Sequence, residues 1–187
     1  HLTHATSFIQ IDDDYQIRTE NFNIGFFKTN HSIPESMGIV INTSNGRIVS
    51  TGDYKFDLTP VGDPADFQKM SFLGYTGVTL LMADSTNSEI PTFSISEKQV
   101  ANSILDIFRK TEGRLIVATF ASNVHRVQQI IEGAVKFDRR ILVYGRSMEN
   151  VINTSRRMGY IKCPDRYFIK NDEAKRLKDN QILILCT

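Results

Sequence analysis

Apolar positions along the chain follow two rhythms. Up to about residue 90 the apolar runs are short and broken by turn residues. Phe22 to Phe27 alternates loosely, Gly38 to Ile41 is compact, and Arg47 to Ser50 directly follows Asn45-Gly46. An Asn-Gly pair between two such runs predicts a hairpin, because these residues accept the positive φ that a tight turn needs. This half is therefore expected to be β-rich. Phe56 to Gly77, punctuated by Pro60, Gly62, Pro64, Gly74 and Gly77, reads as loop with some helix. Val78 to Met82 reads as a buried strand ending at Ala83-Asp84.

After Pro91 strands and helices alternate. Ser94 with Glu97 three residues on predicts a capping box at a helix start. Val100, Ile104, Ile107 and Phe108 then recur at helical spacing, and Gly113 closes the element. Leu115 to Phe120 reads as a buried strand. Ser122 or Asn123 opens a second helix, with Val124, Val127, Ile131 and Ala134 on one face. Ile141 to Tyr144 is the next strand, Gly145-Arg146-Ser147 turns into a helix carrying Val151 and Ile152, and Gln181 to Cys186 is a last strand. Doubly apolar strands alternating with amphipathic helices predict an α/β fold, with a parallel sheet covered on both sides.

Composition narrows the function classes. Of 187 residues, 41% are hydrophobic and 23% charged, which excludes collagen-like and fully disordered chains. No run approaches the roughly 18 apolar residues of a membrane span, and the first residues lack a charged-then-apolar leader pattern, so no membrane partner is expected. Lys plus Arg is 22 against 21 Asp plus Glu, so any affinity for nucleic acid has to come from a local patch. Cys163 and Cys186 form neither a CxxC pair nor a disulfide framework, which fits a reducing, cytoplasmic setting.

Candidate chemistry gathers where strands end. His31, in Asn30-His31-Ser32-Ile33-Pro34, is placed as a metal ligand or acid–base group, the plainer alternative being an ordinary loop residue. Thr51-Gly52-Asp53 leaves Asp53 projecting from the end of Arg47 to Ser50, as a ligand or as a turn cap. Imidazole nitrogen and carboxylate oxygen both suit zinc, but a zinc site takes about four ligands, so the pair is half of one. In Asp84-Ser85-Thr86-Asn87 an acidic residue precedes Ser85 and Thr86, an arrangement able to orient a ligand, hold a phosphate or cap a turn. Ser122, Asn123, His125 and Arg126 lie at one strand-to-helix junction, and Arg146 and Ser147 at the next. There, free N–H groups and the helix dipole favour anions. Neither junction carries GxGxxG or GxxxxGK[ST], so a standard dinucleotide or Walker-type site is not supported. Lys170 to Lys178 reads as a solvated helix face, with RNA contact as the lesser alternative. His1 and His4, three apart at the start of the chain, read as incidental.

Taken in order, Thr29-Asn30-His31-Ser32-Ile33-Pro34, Thr51-Gly52-Asp53-Tyr54-Lys55-Phe56-Asp57, Ala83-Asp84-Ser85-Thr86-Asn87 and Ala118 to Arg126 resemble ribonuclease J, the bacterial branch of the β-CASP metallo-β-lactamase nucleases. The resemblance covers all but about the first twenty residues. It implies part of an αββα metallo-β-lactamase domain over residues 1–91, then part of a Rossmann-like β-CASP domain over residues 92–187. It further implies that His31 and Asp53 hold metal, Asp53 as the carboxylate bridging two zinc ions, and that Asp84 stands near the reaction centre, these three being the expected catalytic residues. Ser85, Thr86, Ser122, Asn123, His125, Arg126, Arg146 and Ser147 are then the expected contacts to RNA phosphates. The activity implied is 5′→3′ exonuclease, with endonuclease action, in rRNA processing and mRNA decay, by an enzyme that forms homo-oligomers or pairs with a paralogue. The HxHxDH motif, two later histidine motifs and a glycine-rich phosphate loop of the family have no counterpart here. The resemblance therefore implies a piece of a longer protein, with the isolated chain expected to be inactive. Two alternatives stand beside it: a non-catalytic subunit binding RNA or a partner, and a metallo-hydrolase of small esters.

Overall fold

The computed structural model describes residues 6–187, so His1 and His4 lie outside the described residues. The chain divides into two compact units. One comprises residues up to His31, Glu35–Phe56 and Pro64–Pro91; the other comprises Ser32–Pro34, Asp57–Asp63 and Thr92–Thr187.

The first unit is built on a five-stranded mixed sheet: β1 (Gln16–Arg18), β2 (Asn23–Lys28), β3 (Met37–Thr43), β4 (Gly46–Ser50) and β5 (Leu80–Met82), in that spatial order. The first three pairings are antiparallel, whereas β5 lies parallel to β4 after a crossover through α1 (Phe67–Thr76). Phe27, Val40 and Val49 point to one face, where Leu73 of α1 completes the core. Phe27 stands opposite Gly38, and its ring covers the place where a side chain would be. The α1 start is tied to β2 by Asp66, whose carboxylate caps Lys69 N–H at 2.8 Å while its own N–H donates to Lys28 O. The expected β3–β4 hairpin forms, with a shifted turn. Ser44 and Asn45 occupy the turn between the paired Thr43 and Gly46, and only Gly46 takes positive φ. The Thr43 hydroxyl accepts from Asn45 N–H and donates to Gly46 O, which holds this alternative in place.

The strand expected to be buried at Val78 to Met82 is shorter and exposed. Leu80, Leu81 and Met82 of β5 are 50–60% accessible, because β5 is the sheet edge and no described element covers it.

In the second unit, α2 (Glu97–Lys110), β6 (Leu115–Ala118), α3 (Val124–Lys136), β7 (Arg140–Tyr144), α4 (Arg146–Arg157), the single turn α5 (Asn171–Ala174) and β8 (Ile182–Cys186) follow in order. The last strand enters the middle, giving an all-parallel sheet ordered β6-β8-β7. Alternate residues face opposite layers. Leu115, Ile141, Leu183 and Leu185 join the helical core with Val127, Ile131 and Met148, while Leu142 and Ile182 pack against Ala174 on the other side. This is the α/β architecture that the apolar rhythm predicts. β6 ends at Ala118, two residues short of the expected strand, and its coverage is incomplete: Ile116 is exposed because the second layer reaches only the β7–β8 side, and Phe120 is exposed after the strand ends. The α2 cap is Ser96 in place of Ser94. Its hydroxyl accepts from Gln99 N–H, and Glu97 is already the first helical residue. Lys170 to Lys178 makes one helical turn where a longer exposed helix face was expected. Buried Arg139 pins the entry to the sheet by donating to the carbonyls of Thr111, Gly113 and Ile182. No helix among the described residues is long and apolar enough to cross a membrane.

Candidate functional site

Three loops of the first unit meet at the strand ends. Parallel pairing sets Ser50 beside Met82, so the chain leaving β4 at Thr51 and the chain leaving β5 at Ala83 emerge together. Thr51 N–H donates to Met82 O, and the Thr51 hydroxyl accepts from Asp84 N–H. Gly52, at φ +58, turns the backbone directly before Asp53. Two residues later Lys55 N–H donates to Asn30 O at 2.8 Å, fastening this loop to the one that bears His31. The Asn30 side chain accepts in turn from Ala65 N–H.

These ties bring His31 Nε2 to 3.6 Å from Asp53 Oδ2, with the imidazole about one-third accessible and the carboxylate largely exposed. The gap is longer than an N–H···O hydrogen bond. It is close to the separation of about 3.4 Å between two donors each roughly 2.1 Å from a shared tetrahedral zinc ion. The pair therefore fits two ligands of a metal site. Among the described residues no group of three or more His, Cys, Asp or Glu side chains gathers to hold a metal, so this chain's described residues do not close such a site.

Asp84 belongs to the same loop cluster, but its carboxylate turns to its own loop, accepting from the Thr86 hydroxyl at 2.6 Å and Thr86 N–H at 2.9 Å. The Thr86 bonds, hydroxyl first, hold its carboxyl below the usual range, with backbone donation from Tyr54 and Ser85 adding to the effect. Asp84 is thus an anion at neutral pH, suited to orienting a group. Ser85 and Thr86 are exposed beside it.

In the second unit, Ser122–Asn123 and Arg146–Ser147 follow the carboxyl ends of β6 and β7, on either side of β8. Ser122, Arg146 and Ser147 are exposed. Asn123 is occupied as the α3 cap, accepting from Arg126 N–H at 3.0 Å. Arg126 turns inward to Glu97, at 2.7 Å, in a pair with both side chains about three-quarters buried. His125 packs against Gly62, whose missing side chain makes room for the ring. Burial pushes the His125 imidazole below its ordinary value, partly opposed by Glu97. The α4 start has no side-chain cap, Gly145 taking φ +104 there, so its first N–H groups have no side-chain acceptor of that kind.

Asp57 has no role predicted by the sequence pattern. It is 2% accessible, and its carboxylate accepts from Glu97 N–H at 2.7 Å and Thr59 N–H at 3.0 Å. The signal available was its place at the end of Thr51 to Asp57, yet a partner forty residues away leaves no local trace.

Residues 112–187 match the family model described as ribonuclease J, β-CASP domain. A protein named ribonuclease J 1 from Streptococcus pyogenes is 53% identical over 186 residues, covering 100% of this chain and 33% of that protein. Ribonuclease J from Synechocystis is 44% identical over 90% of the chain and 26% of its own length. The ribonuclease J of Mycoplasma genitalium is 38% identical, over 96% and 32% respectively. The chain thus spans about a third of the length of these curated relatives. Among solved structures, a protein of unknown function from Enterococcus faecalis shares the fold with a TM-score of 0.66 at 15% identity, over 97% of this chain and 45% of that one.

Proposed function

Because this chain belongs to the ribonuclease J family, we propose that it is part of a metal-dependent ribonuclease that hydrolyses RNA phosphodiesters. The observation that carries the reading is the approach of His31 Nε2 to Asp53 Oδ2 at a separation fitting two ligands of one cation. In this proposal residues 1–91 contribute part of a metallo-β-lactamase domain and residues 92–187 part of a β-CASP domain. His31 and Asp53 hold zinc together with ligands supplied from elsewhere in the protein. When bound, zinc would lower the pKa of water and stabilise charge on the scissile phosphate.

The chain's own residues have separate tasks. Gly52 and the Lys55–Asn30 bond fix how His31 and Asp53 are presented. Asp84, held as an anion by Thr86, orients a group beside the reaction centre. Ser85, Ser122, Arg146 and Ser147 are exposed donors for phosphate oxygens, whereas the Thr86 hydroxyl and N–H already donate to Asp84. Asn123, His125 and Arg126 keep that role only if RNA draws them from their internal partners. We further propose 5′→3′ exonuclease action, with endonuclease action beside it, in rRNA processing and mRNA decay. The proposed setting is cytoplasmic, in a homo-oligomer or with a paralogue.

RNA hydrolysis by the full-length protein carrying His31→Ala or Asp53→Ala tests this reading. Loss of hydrolysis by at least about a hundredfold is expected from removing a metal ligand. Activity retained by both variants would overturn the assignment. The fragment comprising residues 1–187 alone is expected to be inactive, since two ligands do not make a closed site.

A further inference from the structure

The second unit carries a cleft that none of these roles uses. It is open, about 820 Å³ in volume, and lies along the C-terminal half of α4 and the segment that follows. The α4 helix starts at the carboxyl end of β7, so its far end lies toward the amino ends of the strands. Arg140, at the start of β7, donates there to Arg166 O.

Three cations and no carboxylate line the cleft, in a chain whose basic and acidic residues otherwise nearly balance. Arg156 is accounted for by its own neighbours: it pairs with Asp165, donates to Cys163 O at 3.1 Å and lies over the Phe168 ring. Arg157 and Lys162 are not. Among the described residues Arg157 makes one hydrogen bond, to the Thr154 hydroxyl at 3.4 Å, and neither Arg157 nor Lys162 has an ion-pair partner. As a last-turn arginine of α4, Arg157 also complements the helix dipole, which leaves most of its guanidinium donors unused, and Lys162 lies outside the helix altogether. The backbone of Lys162 is clamped from both sides by Gln128, whose side chain accepts from its N–H at 2.9 Å and donates to its carbonyl. The ammonium stem therefore rises from a fixed point. Asn150, Asn153 and Thr154, at helical spacings of three and four, add neutral donors along the same wall.

We propose that this cleft is a binding site for the phosphodiester backbone of single-stranded RNA, separate from the strand-end residues assigned above. The choice of RNA rests on the ribonuclease reading; the choice of backbone rests on the lining. Amides, a hydroxyl and unpaired cations recognise phosphate oxygens. The cleft has no aromatic side chain on which a base could stack, so its recognition is independent of sequence. An open trough also suits a passing strand better than an enclosed nucleotide.

The test uses the metal-stripped full-length protein in EDTA, so that no cleavage occurs, and a labelled oligoribonucleotide, with binding followed by fluorescence anisotropy across a salt series. For Arg157→Gln with Lys162→Gln, two phosphate contacts are lost. The slope of log K against log salt should become shallower by about 1.4, at roughly 0.7 per contact for single strands. Turnover of a short cleavable RNA should be unchanged. An unchanged slope and affinity would overturn the proposal and leave an acidic protein partner as the occupant. Displacement of the oligomer by free AMP, lost in the double variant, would also overturn it in favour of a nucleotide site. Hydrolysis is scored separately: an unsubstituted protein that binds the oligomer but cleaves no RNA sinks the nuclease reading and leaves the cleft assignment standing.

Discussion

Replacing Asp57 isolates the buried carboxylate that, within the second unit, holds the start of α2. Its bonds to Glu97 N–H at 2.7 Å and Thr59 N–H at 3.0 Å are charge-assisted, and such bonds contribute about 1.5–3 kcal/mol each. The full sum overstates the loss, because Asp57→Ala also removes the cost of holding a carboxylate at 2% accessibility. A net loss of about 3 kcal/mol is expected. Asp57→Asn can keep one oxygen on Glu97 N–H but presents an amide hydrogen to the other donor, so about half that loss is expected. With a urea m-value of about 2 kcal/mol/M, the midpoint for the second unit should fall by about 1.5 M for Ala and about 0.75 M for Asn. Hydrogen exchange at the Glu97 amide reads the same contact locally and should lose protection in Asp57→Ala. An Ala variant within about 0.5 kcal/mol of the unsubstituted protein, with Glu97 still protected, would refute the reasoning.

Two further outcomes are expected. The His125 imidazole is held below its ordinary value of about 6.5 by burial, so between the folded and ordinary values only the unfolded chain binds the proton. Stability of the second unit should therefore be full above about pH 6.5 and fall as the pH drops below it. His125→Gln should flatten that part of a denaturation-midpoint profile. In the first unit, a Cβ on Gly38 would lie 2.1 Å from the Phe27 ring, so Gly38→Ala should cost about 1–3 kcal/mol by overpacking. Thermal unfolding of Gly38→Ala with and without Phe27→Leu should show the second change recovering part of the loss.

Periodicity carried most of the fold. Strands and helices after residue 92 were legible because Leu115, Ile141, Leu183 and Leu185 each belong to one cooperative core whose spacing shows in the sequence. Exposure was not legible. The same apolar letters at Leu80 to Met82 and at Ile116 describe a covered strand or a bare edge, and only the layers present decide between them. The α2 cap lies two residues beyond the expected Ser94, because Ser94 and Ser96 are both competent caps. Asp57, bound to Glu97 N–H, fixes the helix start at the second. At the candidate site, His31 and Asp53 could be named from strand-end position, but their separation depends on the Lys55–Asn30 bond, which has no residue signature. The inward turn of Arg126 likewise depends on Glu97, twenty-nine residues away.

Zinc titration of the metal-stripped full-length protein, by calorimetry, most directly tests whether His31 and Asp53 share a cation. Removing either ligand should weaken binding by at least about tenfold, and the double variant should lose less than the two single losses combined, because each ligand is already less useful without the other. Zinc affinity and stoichiometry unchanged in His31→Ala and Asp53→Ala would contradict the account.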